Sequence, residues 1–437
     1  MPKLQLHWQI LIAILLGIAA GWLSGEEGRL FGVTLYGIYD FVGTLFINAL
    51  RMLIVPLIVS SIIVGVAGIG SGGNLGRLGG KTLLFYGVTT LLAILIGLVL
   101  VNLVQPGIVD GEPARELLAL EESTRAVAES VGAAAGTGGG GQLARLFLSM
   151  VPPNIIAAAA EGQMLGLIFF SIVFGYFMTR VGHEQGDALY RFWDALFAVM
   201  MKITTWVMAF APIGVFGLVA RTVARTGFDA AQPLIVFSLT VLGALVLHAV
   251  VTIPLLVKLI ARVSPVALYR AAAPALLTAF STASSAATLP ITMDAMERRA
   301  GVSNRTSSFV LPLGATVNMN GTALYECVAA MFIAQAYGLE LSFGVLFIIV
   351  VTALVTSVGV AGIPSASLVA IAIILAAVGL PVEAIGVLFV FDRILDMART
   401  AINILGDCAC AVIIAVIDGE QGVLSGDAAK TASLQHS

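Results

Sequence analysis

The sequence predicts an all-α polytopic membrane protein, and three observations lead there. The 437-residue chain is 59% hydrophobic and only 11% charged, with a mean hydropathy of +1.03. A soluble domain of that length needs far more charge to cover its surface. Apolar runs at residues 6–23, 82–104, 233–259 and 343–375 approach or exceed the roughly 20 helical residues that cross a hydrocarbon core of ~30 Å. Such runs recur along the whole chain, which excludes a soluble protein on a single anchor.

The first run follows Lys3, and no small-residue cleavage site stands out before Glu26 and Glu27. It therefore reads as a first transmembrane helix, not a signal peptide. Basic residues cluster in short loops: Arg77 and Lys81; Arg180 and Arg191; Lys258, Arg262 and Arg270; then Arg298, Arg299 and Arg305. Acidic residues collect at Glu26, Glu27 and residues 110–129. Basic loops stay cytoplasmic, so the N-terminus is expected inside and residues 110–141 outside. Arg221 and Arg225 fall on the outer side and break the pattern. Residues 137–141, with four consecutive glycines, read as a flexible external loop.

The net charge of −3 names no partner, and no basic tract suits nucleic acid. Cys327, Cys408 and Cys410 lie in apolar segments. They lack CxxC spacing and a nearby histidine, so they read as packing residues, not metal ligands.

After Ala261 the character changes. Two units follow with one grammar, an apolar hairpin broken by small and polar residues and then an interrupted or unusually polar helix. The first break is Ser281-Thr-Ala-Ser-Ser-Ala-Ala-Thr-Leu-Pro290, followed by Asn318-Met-Asn-Gly-Thr322. The second spans residues 357–367 and is followed by a polar stretch at 392–407. Broken helices at membrane depth must line a protein cavity, because lipid satisfies no backbone group. Two such breaks in corresponding positions point to a transporter binding site, whereas a kink needed only for packing explains one break but not the pair.

The last apolar segment, residues 385–417, carries Asp392, Arg393, Asp396, Arg399, Thr400, Asn403 and Asp407. Each ionisable residue at the centre of a membrane helix costs roughly 2.5–3.5 kcal/mol on insertion scales. Asp392, Asp396, Arg399, Asn403 and Asp407 recur at steps of four, three, four and four, which puts them in one stripe on one helical face. Intrahelical ion pairs, such as Asp396 with Arg399, explain part of the stripe but not Thr400 and Asn403. As a binding surface, Arg399 offers a planar fork to a carboxylate. Asp396 can take an ammonium, Asn403 a second carboxylate, and Asp407 a small hard cation. The freed carbonyls around Asn318 suit a sodium ion. Glu326, one turn further on, can carry a proton, since desolvation favours the neutral carboxyl. It can equally be a permanently protonated hydrogen-bonding residue. A membrane-embedded enzyme is not supported: His7, His183, His248 and His436 lie far in sequence from the serine-rich break, and no GxSxG elbow is present.

Together these motifs resemble the dicarboxylate/amino acid:cation symporter family, which includes archaeal aspartate transporters and mammalian excitatory amino acid transporters. The likeness runs through essentially the whole chain and is strongest from Ser281 to Asp407. It implies inverted repeats with about eight transmembrane helices and two re-entrant helical hairpins. It further implies a homotrimer in the cell inner membrane, with both termini cytoplasmic, working as an elevator-type transporter. Scaffold helices would occupy residues 1–80 and 142–225. The moving part would take 81–141 (with the external loop), 226–263, 264–338 (first hairpin and broken helix) and 339–418 (second hairpin and last helix), leaving 419–437 as a cytoplasmic tail. The solute would be glutamate or aspartate moved into the cell with Na+, and H+ as a second candidate ion. The same fold also serves C4-dicarboxylate:cation symport. No cofactor and no enzymatic activity are expected, and anion leak would be secondary.

By matching position, the hairpin tips are Ser284 with Ser285, and residues 360–367, where Val360, Ala361 and Gly362 would meet substrate. The resemblance implies that the substrate's side-chain carboxylate meets Arg399 and Thr322. Its amino group would meet Asp396 and Thr400, and its main-chain carboxylate Asn403 and Ser285. One cation site would use carbonyls of Gly314, Asn318 and Asn403 with the Asp407 carboxylate. A second would use backbone of Thr316, Ser357, Val358 and Val360. A third would use Tyr86, Thr89, Thr90 and the Asn318 side chain with an acid at 320. Here that residue is Asn320, so the third site lacks a formal charge. Glu326 matches the position that the mammalian members are thought to protonate. The family's tip or last-helix arginine is also missing, at Ala283 and Met397, and Arg393 is the local candidate to replace it.

Overall fold

The computed structural model describes residues 6–30, 32–69, 75–118, 120, 123–135, 148, 151–160, 164–227, 231–359 and 366–424. Helices dominate it, and the two pairings of two-residue strands, Arg29–Leu30 with Val33–Thr34 and Ile108–Val109 with Glu112–Pro113, only tie turns. Its first helices are α1 (Leu6–Ser24), α2 (Leu35–Ile69), α3 (Leu75–Val104), α4 (Thr124–Ala135) and α5 (Ile155–Ala160). Next come α6 (Met164–Met178), α7 (His183–Ala209), α8 (Ala211–Thr226) and α9 (Ala231–Leu247). Helix α9 runs on to Ala261 through π-helical turns at His248–Thr252 and Val257–Ala261.

Helices α1 and α2 pack on α8, and α2 also on α6 and α7. Arg221 and Arg225, which broke the charge pattern read from the sequence, sit on α8. There Arg221 reaches Asp40 of α2 at 2.6 Å, and Arg225 lies 4.0 Å from Glu26.

The second half builds α10 (Pro265–Thr282), α11 (Ser285–Asp294), α12 (Asn304–Val317), α13 (Asn320–Ala336), α14 (Phe343–Gly359), α15 (Ala366–Val378) and α16 (Phe389–Ile417). The first break falls between α10 and α11. Ala283 turns the chain with φ of 50°, and Ser284 caps α11 by accepting the Ala287 N–H at 3.2 Å. The interrupted helix that follows the first break divides into α12 and α13, where Asn318 and Met319 leave helical geometry. The second break parts α14 from α15; Val360, Ala361 and Gly362 lie outside the described residues. Helix α13 is buried along almost its entire length and packs on α3, α14, α15 and α16.

Among the described residues, Leu78–Val104, Ala231–Ala261 and Phe391–Ile417 are long and apolar enough to cross a membrane. The first two expose Leu84, Leu103, Leu239, Val246 and Leu259, as lipid-facing helices do. The third is mostly wrapped by protein, so its polar stripe is hidden from both lipid and water. Cys327, Cys408 and Cys410 are free and buried.

Candidate functional site

The α16 stripe faces α13 across the Asn318–Met319 break. Arg399 is fully buried; both terminal nitrogens donate to Asp392 Oδ1 at 3.1 Å, and one also to Asp396 Oδ1 at 3.0 Å. Its guanidinium stacks on the Tyr325 ring, 3.9 Å from the centroid. The intrahelical ion pairs weighed from sequence are thus formed, but they do not exhaust the groups. Arg399 Nε and Asp396 Oδ2 have no hydrogen-bond partner although both are buried. Arg393 approaches Asp396 Oδ2 with Nη1 at 3.6 Å, beyond a hydrogen bond, and its Nε is also unpartnered. A buried cluster with a bare donor on one residue and a bare acceptor on another is what a charged guest would complete.

Thr400 is buried and returns its hydroxyl to Asp396 O at 2.8 Å. Asn403 bridges the two helices. It accepts the Gly321 N–H at 2.8 Å and donates to Thr322 Oγ1 at 3.1 Å and Met319 Sδ at 3.2 Å. The close approach requires glycine at 321, where a Cβ would lie 2.8 Å from Arg399 O. Ser285 is buried on α11, which packs on α16. Ser284 is committed to its capping bond.

Lower on α16, Asp407 Oδ1 accepts from Asn318 Nδ2 at 2.8 Å, and the same amide reaches Asn403 O at 3.2 Å. Asn318 Oδ1 is buried without a partner. A Cβ at Gly314 would collide with Asp407 Oδ1 and Tyr86 Oη, so Gly314, Asp407 and Tyr86 converge. Tyr86 donates to Val310 O at 3.0 Å. Thr89 and Thr90 are buried one turn along α3, with the Thr89 hydroxyl turned to Phe85 O at 2.9 Å. Thr316 and Ser357 turn their hydroxyls onto their own helices, at Leu313 O (2.9 Å) and Leu354 O (2.8 Å). Val358 lies in α14, and Val360 is outside the described residues.

Glu326 is wholly buried on α13, with Oε2 3.0 Å from Thr356 Oγ1 and Oε1 unpartnered. The single Thr356 hydroxyl hydrogen has Glu326 Oε2 at 3.0 Å, Thr352 O at 2.8 Å and Ala353 O at 3.2 Å within reach. It donates to an ionised Glu326, and when it turns to a backbone carbonyl the hydroxyl oxygen can accept from a protonated one. That geometry fits both roles considered for Glu326. Replacing it by glutamine, which keeps a donor toward Thr356, is expected to flatten the pH profile of uptake. An unaltered profile would exclude the proton-carrying role.

Asp392 was placed on the polar stripe but given no role of its own, and two further contributors, Tyr325 and His248, escaped sequence reasoning. Asp392 takes two Arg399 bonds, Tyr325 supplies the ring beneath the guanidinium, and His248 stands beside Asn320, with Nε2 3.4 Å from Asn320 Nδ2. Tyr325 lies three residues after Thr322 and next to Glu326, a spacing that could have placed it on the same face. His248 is a polar residue within an apolar span, and that alone was a signal.

Charged and amide side chains enclosed by broken helices, within a bundle whose outer helices are apolar, define a membrane carrier. The chain belongs to the sodium:dicarboxylate symporter family, whose model matches residues 6–417. It is 37% identical over 418 residues to the proton/glutamate-aspartate symporter of Escherichia coli (strain K12), covering 94% of this chain and 93% of that one. It is 33% identical to the proton/sodium-glutamate symport protein of Bacillus caldotenax, covering 96% of each. Its identity to excitatory amino acid transporter 3 of Oryctolagus cuniculus is 35%, over 92% of this chain and 84% of that one.

Proposed function

We propose that this protein is a secondary active symporter that moves aspartate and glutamate into the cell, coupled to Na+ and, through Glu326, to H+. The observation that carries the reading is the buried cluster of Arg399, Asp396 and Asn403 with its unfilled donor and acceptor atoms. Arg399 binds the side-chain carboxylate beside Thr322, Asp396 and Thr400 hold the ammonium, and Asn403 with Ser285 meets the second carboxylate. Sodium sits between Asp407, Asn318, Asn403 and Gly314, with a second position near Thr316, Ser357, Val358 and Val360. Family membership supports the larger architecture: a homotrimer in the inner membrane with cytoplasmic termini, about eight spanning helices and two re-entrant hairpins. In it, the elements at 81–141 and 226–418 slide as an elevator against scaffold helices at 1–80 and 142–225. The gate is the tip at 360–367, with Val360, Ala361 and Gly362 against the substrate.

The competing reading is C4-dicarboxylate symport. Asp396 speaks against it, because a buried carboxylate attracts an ammonium and repels succinate or malate. Uptake of labelled aspartate, glutamate and succinate into proteoliposomes separates the two. Accumulation of succinate alone would overturn the amino acid reading.

Arg393 substitutes in this scheme for the family arginine missing at Ala283 and Met397, its unpartnered Nε and Nη1 being the free donors. Arg393→Ala is expected to lower apparent substrate affinity about tenfold, as loss of one charge-assisted hydrogen bond does. Unchanged affinity and rate would remove Arg393 from the site.

A further inference from the structure

Past the end of α16, residues 418–424 fold back against the start of α12. The Glu420 carboxylate takes three donors there: the Ser303 N–H at 2.8 Å and, both at 2.5 Å, the hydroxyls of Ser303 and Thr306. Ser303 itself caps α12, its hydroxyl oxygen accepting the Thr306 N–H at 3.3 Å. A carboxylate at a helix N-terminus faces the positive end of the helix dipole, and its hydrogen bonds are charge-assisted. Beyond it, Val423 is buried in the apolar cluster that holds Ala300, Val302 and Val310, and the Leu424 N–H donates to Ala300 O at 2.8 Å. Asp418 meets Lys81 of α3 at 3.3 Å.

The opposite end of α12 is tied to the same helix, where Asn318 Nδ2 donates to Asp407 Oδ1 and Asn403 O. Helix α12 therefore lies antiparallel along the second half of α16, stitched at both ends. Fifteen positions separate Ser303 from Asn318 and thirteen separate Asp407 from Glu420, about 22 and 20 Å at the helical rise. The spans agree closely, so the two stitches fix one register.

We propose that residues 418–424 are a strap that sets the register of α12 on α16, with Glu420 as a positioning residue for the far end of α12. Gly314 and Asn318 stand against Asp407 there. Sliding α12 by one residue would move them about 1.5 Å, whereas a ligand set works only when held to about 0.5 Å. The functional half of the proposal rests on reading that end as a sodium position. The first hairpin shares the restraint, because α11 runs through the π-helical turn Ala295–Arg299 into Ala300, which the strap bonds.

Two measurements on the purified full-length protein test it: hydrogen exchange, and the melting temperature against sodium at constant ionic strength. In Glu420→Ala, peptides covering residues 314–320 are expected to exchange faster, although they lie about 20 Å along the helix from the substitution. Faster exchange confined to residues 300–306 would reduce Glu420 to a local cap and overturn the proposal. Bound sodium raises the melting temperature once its concentration passes the dissociation constant, and that onset is expected at several-fold higher sodium in Glu420→Ala. A curve lowered equally at every sodium concentration reports lost stability alone and would overturn the positioning role. Asp418→Asn breaks only the bond to Lys81 and is expected to leave both readouts unchanged; an effect equal to that of Glu420→Ala would contradict the assignment to Glu420. Thr306→Val removes one donor, keeps the Ser303 cap and is expected to shift both readouts the same way by less. If Glu420→Ala does not fold, Thr306→Val decides, and readouts matching the unaltered protein overturn the idea. Should sodium leave the melting temperature of the unaltered protein unmoved, the sodium reading fails, and the exchange pattern still decides the strap.

Discussion

Replacing Arg399 by lysine is expected to raise the half-saturating concentration for aspartate and glutamate by about 10- to 150-fold, the equivalent of one hydrogen bond between charged groups, roughly 1.5–3 kcal/mol. The guanidinium bonds Asp392 and Asp396 at 3.0–3.1 Å and stacks on Tyr325 at 3.9 Å. A lysine keeps the charge that balances those carboxylates, but it loses the planar fork and the stacking. The variant therefore separates recognition from folding better than alanine does. Alanine would strand two buried carboxylates and cost roughly 3–5 kcal/mol of stability. Binding measured by titration calorimetry, beside a melting curve, checks both parts. A lysine variant that binds as tightly as the unaltered protein would place the substrate carboxylate elsewhere.

Asp407→Asn is the second large effect. Asp407 is a carboxylate at the centre of a spanning helix, accepting from Asn318 and standing over Gly314 and Tyr86. The amide preserves size, and its oxygen can still accept from Asn318, so packing should survive. The formal charge that a bare cation needs is gone. The sodium concentration for half-maximal uptake is expected to rise more than tenfold, since loss of a charge-assisted contact is worth about 1.5–3 kcal/mol. Sodium titration of uptake at saturating substrate reads it, and an unchanged midpoint would exclude Asp407 as a sodium ligand.

Much of this organisation was legible in the sequence, for local reasons. The 4-3-4-4 spacing on α16 fixes a polar face whatever surrounds it, and the helix does break within the Asn318-Met-Asn-Gly motif, at Asn318 and Met319. What stayed hidden depends on partners distant in sequence. Ala283 takes a left-handed conformation that alanine does not favour, imposed by the packing of α10 against α11. Arg221 finds its carboxylate 181 positions away. His248 meets Asn320 only because α9 and α13 pack together, and the π-helical turn that carries it leaves no mark in an apolar run. The apolar pattern gives the depth of each helix, but not which faces meet.

The account's central claim is cation-driven transport of an acidic amino acid through the Arg399–Asp396–Asn403 site. It is tested most directly by labelled aspartate uptake into proteoliposomes with an inward sodium gradient, an inward proton gradient, or neither. Aspartate should concentrate inside above its external level with the sodium gradient, and further when the proton gradient is added. Equilibration without accumulation under both gradients would contradict the claim.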